Sequence, residues 1–139
     1  MTPYEKFRLA QWQFDRKDYR TAATTLEELL TDLAATDSGG SDGGILHGDT
    51  EARQLLTRAY YHSAQLGRAE TAARALLEAD PTDGYAALLL GHTLRRDGRH
   101  EEAQRTFARA AALGAPGAED ALAIELERAG SGATASDDA

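Results

Sequence analysis

Several residue types that would point to a particular fold or chemistry are missing from this sequence. It contains no cysteine, no valine and no asparagine, and only two isoleucines among 139 residues. Without cysteine the chain has no disulfide, no zinc–thiolate or iron–sulfur centre and no thiol nucleophile. Strands usually recruit β-branched residues, whereas the commonest residues here are alanine (28) and leucine (18). The composition therefore predicts an all-α protein.

Long apolar runs and an excess of basic residues are missing as well. No apolar run approaches the roughly 18 residues that suggest a membrane span, and the first ten residues (MTPYEKFRLA) lack the layout of a signal peptide. We therefore expect a cytoplasmic protein with no membrane partner. The chain has 23 acidic and 15 basic residues, a net charge of −8. Because an acidic chain repels phosphate backbones, the charge argues against nucleic-acid binding.

Three stretches interrupt a helical pattern of apolar residues. Residues 37–49 (DSGGSDGGILHGD) are rich in Gly, Ser and Asp and predict an inserted loop, and residues 114–117 (GAPG) predict a second break. The small, polar residues of 130–139 (GSGATASDDA) predict a disordered tail.

The helical pattern repeats along the chain. Ala69, Ala73, Leu76 and Ala79 recur 34 residues later as Ala103, Phe107, Ala110 and Leu113. A shift of 47 residues, which is 34 plus the 13-residue insert, relates the first part of the chain to the second in the same way, so that Ala22 matches Ala69. This self-similarity predicts three helix pairs with the same arrangement.

The 34-residue period resembles the tetratricopeptide repeat (TPR). The residues that carry the resemblance are Leu90-Gly91, Gly98, Ala103, Phe107, Ala110 and the Asp80-Pro81 that closes the middle unit. Gly91, and Thr57 one repeat earlier, fall where the helices of a pair cross and a small side chain lets the backbones approach. Thr82 or Asp83 can cap the helix after Pro81. The segments YHSAQLGRAE (61–70) and RRDGRHEEA (95–103) also look like those of short actinobacterial TPR proteins.

The predicted fold class is all-α, an α-solenoid of about three TPR-type antiparallel helix pairs and a C-terminal capping helix. The expected single domain covers 1–129, with helix pairs at about 4–36, 50–81 and 84–113 and the cap at 118–129. A terminal helix pair exposes an apolar face, so a cap is expected. We expect the cap to bury Ala118, Ala121, Leu122, Leu126 and Ala129 and to turn its acidic residues outward.

The resemblance implies that the first helix of each pair lines a concave groove that binds a protein segment. The predicted binding residues are Arg58, Tyr61, His62, Tyr85, His92, Arg95 and Arg96. Cations interleaved with aromatic rings suit a peptide with acidic side chains or a free C-terminal carboxylate.

The sequence therefore predicts a non-catalytic protein–protein interaction module without a cofactor. One alternative is a self-associating structural protein, a homodimer whose groove is idle. A lesser alternative is a metal-binding protein or enzyme that uses the groove histidines, His62 and His92. Enzyme signals are thin, since the four histidines are scattered and no HExxH spacing occurs.

Overall fold

In the computed structural model the chain is described over residues 1–37 and 44–137. Within these ranges seven helices and no strand are present, which confirms the all-α prediction. The helices are α1 Pro3–Asp15, α2 Tyr19–Asp37, α3 Gly44–His62, α4 Leu66–Ala79, α5 Gly84–Arg96, α6 His100–Ala112 and α7 Ala118–Asp137. None of them is long and apolar enough to cross a membrane.

The chain divides into two compact units, Met1–Leu76 and Leu77–Ala139. The first unit contains α1, α2, α3 and most of α4, and the second contains the end of α4 with α5, α6 and α7. The expected single domain over 1–129 stays a prediction.

Helices extend into both the predicted inserted loop and the predicted disordered tail. Helix α3 begins at Gly44, so 44–49 is helical, whereas 38–43 lies outside the described residues. Asp49 Oδ2 accepts a hydrogen bond from Arg53 Nε at 2.9 Å, an i,i+4 pair that stabilises this first part of α3. Helix α7 likewise runs through 130–137 of the expected disordered tail, because extending a formed helix adds one hydrogen bond for each residue ordered.

Small residues bring the helices of the first unit close together. Its core is largely alanine and leucine, with Ala10 of α1, Ala22 of α2 and Ala59 of α3 fully buried. Tyr60 of α3 adds a polar contact between helices, since its hydroxyl donates a hydrogen bond to Glu27 Oε1 of α2 at 2.8 Å. Helix α2 packs against both α1 and α3.

The second unit is built around Phe107 of α6, which is fully buried. A Cβ placed on Gly91 would come within 2.6 Å of the Phe107 ring, which explains the glycine at this helix crossing. Phe107 of α6 is therefore the side chain that packs against Gly91 of α5. Asp83 caps α5 by accepting a hydrogen bond from Ala86 N at 3.0 Å, as one of the two predicted caps.

One turn geometry joins the two helices of each pair. Three-residue loops separate α1 from α2, α3 from α4 and α5 from α6. Each loop has a residue in the left-handed region: Lys17 (φ 66°), Ala64 (φ 63°) and Gly98 (φ 83°). In each, two backbone hydrogen bonds close the helix end; in the third loop these are Gly98 N to Arg95 O and Arg99 N to Leu94 O. The pattern is a Schellman motif, and it recurs at the offsets of 47 and 34 residues found in the sequence.

Ala64→Gly should stabilise the protein, because a left-handed backbone is strained for an L-residue and glycine adopts it freely. We expect the free energy of unfolding to rise by about 0.5–1 kcal/mol, and Gly98→Ala to lower it by about 1 kcal/mol. Urea denaturation followed by circular dichroism measures both. Ala108→Gly, on an exposed position inside α6, is the control and should destabilise by about 1 kcal/mol. Stabilisation by both alanine-to-glycine changes would contradict the backbone mechanism.

Tyr60→Phe should lower the free energy of unfolding by about 1 kcal/mol near neutral pH, the usual net value of one hydrogen bond. Burial, and then the hydrogen bond to Glu27, raise the pKa of Tyr60 to about 12 from 10.0. Since the folded state holds this proton more tightly, the stabilisation is complete below pH 10 and is lost as the pH rises through 12. Urea unfolding at about pH 8 and about pH 11 should therefore show the wild type and the variant converging. Tyr85→Phe, at an exposed ring, is the control; a gap that widens with pH would contradict the assignment.

Candidate functional site

Five side chains of the first unit form an aromatic cluster with one cation. They are Phe14, Tyr19, Arg58, Tyr61 and His62. Phe14 comes from the end of α1 and Tyr19 opens α2, while the other three lie in the last turns of α3. The three-residue turn at 16–18 is what places Phe14 and Tyr19 beside each other, with ring centroids 5.0 Å apart.

His62 is the point where the rings of the aromatic cluster meet. Its ring centroid lies 4.8 Å from that of Tyr19 in a stacked pair with an interplanar angle of 23°. It lies 5.6 Å from the centroid of Phe14 and 5.4 Å from that of Tyr61 in T-shaped pairs. Aromatic pairs at these distances and angles attract each other. His62 nevertheless stays exposed, so the cluster presents a surface of rings to solvent.

Arg58 supplies the charge of this cluster. Its guanidinium carbon lies 4.7 Å from the centroid of the Phe14 ring, within the range of a cation–π contact. In the part of the chain that the structure describes, no carboxylate lies within ion-pair distance of Arg58. Because a ring offers no hydrogen-bond acceptor of the carboxylate kind, the N–H donors of Arg58 remain available to an external carboxylate.

The predicted binding residues of the second unit have a different environment. Arg95 Nη2 donates a hydrogen bond to His92 Nδ1 at 2.8 Å, and its guanidinium carbon lies 5.1 Å from the Phe107 ring centroid. Burial, and secondly the charge of Arg95, lower the pKa of His92. The imidazole is therefore neutral near neutral pH and its Nδ1 lone pair accepts from Arg95. Tyr85 (37% exposed) and the exposed Arg96 lie at the two ends of α5.

Glu125 of α7 is a residue whose position the sequence analysis predicted wrongly. The prediction turned the acidic residues of this helix outward, but Glu125 is 2% exposed and lies on the buried side with Ala118 and Ala121. Its Oε2 lies 3.2 Å from His100 Nδ1 and its Oε1 lies 3.7 Å from Arg95 Nε. Basic side chains on α5 and α6 thus compensate the buried acid, and its spacing from Ala118, two helical turns, could have suggested this face.

The expected register of the capping helix is consequently wrong in part. Ala118 and Ala121 are buried and Leu122 is half-buried, but Leu126 is 49% exposed and Ala129 is exposed. Glu125 faces its basic partners on α5 and α6. Leu126, the next residue, lies about 100° away around the helix and is therefore exposed.

The neighbours of His62 and His92 are aromatic rings and an arginine, which are not metal ligands. His62 lies in the first unit among aromatic rings, and His92 lies in the second against Arg95 and Phe107. Over residues 1–37 and 44–137 no group of three or more His, Asp or Glu side chains is placed to hold a metal ion.

Glu125→Ala should lower the free energy of unfolding by about 2 kcal/mol, because Arg95 loses its buried ion-pair partner and His100 loses its hydrogen-bond partner. Glu125→Gln, which keeps the shape and one acceptor, should cost about half as much. The matched control is Glu127→Ala on the exposed side of α7, which should stay within about 0.5 kcal/mol of the wild type. Urea unfolding gives the energies, and hydrogen exchange of the α7 amides locates the effect. Equal stabilities for the Glu125 and Glu127 variants would refute the role of the buried acid.

Comparison with known proteins identifies the fold. No protein-family model and no curated protein matches this sequence. Among solved structures, the C-terminal TPR-containing domain of a Plasmodium falciparum protein described as a putative FK506-binding protein is similar, with a TM-score of 0.77 and 17% sequence identity. The match covers 95% of this chain and 91% of that domain. The fold of this chain is therefore TPR-like, as its 34-residue period predicts.

Proposed function

We propose that this protein is a non-catalytic protein-interaction module that binds a segment of a partner protein. The observation that carries the proposal is Arg58, whose guanidinium lies against Phe14 with no described carboxylate within ion-pair distance, while Phe14 and Tyr61 each contact His62. The TPR-like fold supports the proposal, since stacked helix repeats commonly present extended binding surfaces. The proposal includes no cofactor and no catalytic step.

The preferred ligand of the aromatic cluster is a carboxylate next to an apolar or aromatic side chain. A guanidinium can donate two parallel hydrogen bonds to one carboxylate, either an acidic side chain or a free C-terminus. The stacked rings add contact area that is already ordered, so little side-chain entropy is lost on binding. Arginine and tyrosine are also the residue types that dominate binding energy at protein interfaces.

The second unit contributes its own candidates to the proposal. Tyr85 and Arg96 are exposed at the two ends of α5 and fit the same ligand chemistry. Arg95 and His92 also remain proposed binding residues, but the contacts of Arg95 with His92, Phe107 and Glu125 make it the weaker test. Arg58 is therefore the residue to change first.

Arg58→Glu should weaken partner binding at least about tenfold, because the variant places a carboxylate where the ligand carboxylate would bind. The experiment compares proteins captured from native-host lysate by the wild type and the variant, then measures the affinity of the captured partner by calorimetry. The control is Arg105→Glu, which makes the same charge change at an exposed position of α6 and should leave the affinity unchanged. Circular dichroism must show that both variants are folded.

Two results would overturn the proposal. Equal affinities of the wild type and Arg58→Glu for the same partner would place the binding surface elsewhere, and capture of no partner by the wild type would remove the basis for an interaction module.

Self-association is the second candidate function, and exposed apolar side chains on α7 favour it. Ile124 is 55% exposed and Leu126 is 49% exposed, although both are large aliphatic residues. Light scattering distinguishes this candidate, because a dimer should dissociate when Ile124 and Leu126 are both replaced by lysine.

A further inference from the structure

The outward side of α1 carries aromatic side chains that the fold does not use. Tyr4 is 68% exposed and Trp12, the chain's single tryptophan, is 57% exposed. Helix α1 packs on the core of the first unit through Ala10, which is fully buried, and through Phe7 and Phe14, which are partly buried. Two large exposed aromatic residues on a helix whose other side is buried indicate an interaction surface.

Arginine alternates with the aromatic residues at intervals of one helical turn. Tyr4, Arg8, Trp12 and Arg16 are four residues apart, so they form a stripe along α1 and its C-cap. The guanidinium carbon of Arg16 lies 4.7 Å from the Trp12 ring centroid, and that of Arg8 lies 6.0 Å from the Tyr4 ring centroid. Arg8 Nη1 also donates a hydrogen bond to the Tyr4 hydroxyl at 3.4 Å. We name these four residues the α1 stripe.

The cations of the α1 stripe are held in place by rings. Among the residues that the structure describes, neither Arg8 nor Arg16 has a carboxylate within ion-pair distance. Lys6, on the same helix, is instead paired with Asp32 of α2. Each stripe arginine therefore keeps donors for an external carboxylate, beside an exposed apolar ring.

Charge selects the kind of partner. Residues 1–20 carry five basic and three acidic side chains, a net charge of +2, whereas the whole chain carries −8. This count already includes Glu5 and Asp15, which are exposed on α1. A second copy would bring like net charges together and place arginines against arginines, so the charge pattern favours a different, acidic partner.

We propose that the α1 stripe is a docking surface for an acidic partner segment that also carries apolar side chains. Its carboxylates bind Arg8 and Arg16, and its apolar side chains cover Tyr4 and Trp12. The surface is distinct from the aromatic cluster of the proposed function, because Trp12 and Phe14 are two residues apart and therefore about 200° apart around the helix.

The single tryptophan allows the proposal to be tested directly on the full chain. The probe is a synthetic amphipathic helical peptide with glutamate and leucine on one face, and the control peptide has lysine at each glutamate position. With the acidic peptide, Trp12 emission should move to shorter wavelength as the ring loses water, and the lysine peptide should bind at least about tenfold more weakly. The Arg8→Glu/Arg16→Glu variant should lose at least about tenfold in affinity for the acidic peptide.

Further variants distinguish binding at the α1 stripe from a simple effect of charge. Arg8→Lys/Arg16→Lys keeps the charge but loses the planar stacking and bidentate donors, so its affinity should be intermediate. Arg105→Glu makes the same change of charge at an exposed position of α6 outside both proposed surfaces, so it should keep the wild-type Trp12 response to the acidic peptide. Trp12→Ala, followed with a dye-labelled peptide, should also weaken binding.

Four outcomes would overturn the proposal. These are no change in Trp12 emission with the acidic peptide, equal binding of the two peptides, equal binding by the wild type and the Arg8→Glu/Arg16→Glu variant, and a blue shift that depends on protein concentration without peptide. The last result would identify a second copy as the occupant, and sedimentation equilibrium would confirm it.

Discussion

The left-handed three-residue turn is the constraint on which the rest of this structure depends. It reverses the chain within each helix pair and satisfies the end of the first helix with two backbone hydrogen bonds. Glycine suits such a turn, yet among these three turns only Gly98 is glycine, and Lys17 and Ala64 adopt the same conformation. Packing of the paired helices therefore outweighs the local preference of those two residues.

The same turn creates the candidate site of the first unit. It brings Phe14 at the end of α1 next to Tyr19 at the start of α2, and His62 at the end of α3 completes the stack. Arg58 then rests on Phe14. The proposed binding surface is thus made of residues that lie where helices end or begin, so its geometry is set by the scaffold and not by a mobile loop.

The second unit shows how a buried charge can fix a terminal helix. Glu125 anchors α7 to basic side chains on α5 and α6, and Arg95 also donates a hydrogen bond to His92 and lies against the Phe107 ring. An arginine that the sequence predicts to bind a partner can therefore have its contacts inside the fold, as Arg95 does. Arg58 and Arg95 are both predicted binding residues, yet of these two only Arg95 has a buried acid beside it among the described residues.

Much of the fold could be predicted from local pattern alone. Alanine and leucine at helical spacing, the 34-residue period and Asp83 after Pro81 predicted the helices, their pairing and a cap, because these features act over one or two turns. Tertiary contacts decided the rest. Whether Arg95 faces a partner or Glu125, which side of α7 is buried, and whether Trp12 is covered all depend on distant residues that compete for the same side chain. The sequence determined which chemical groups the protein carries, and only the packed helices decided which of them remain available.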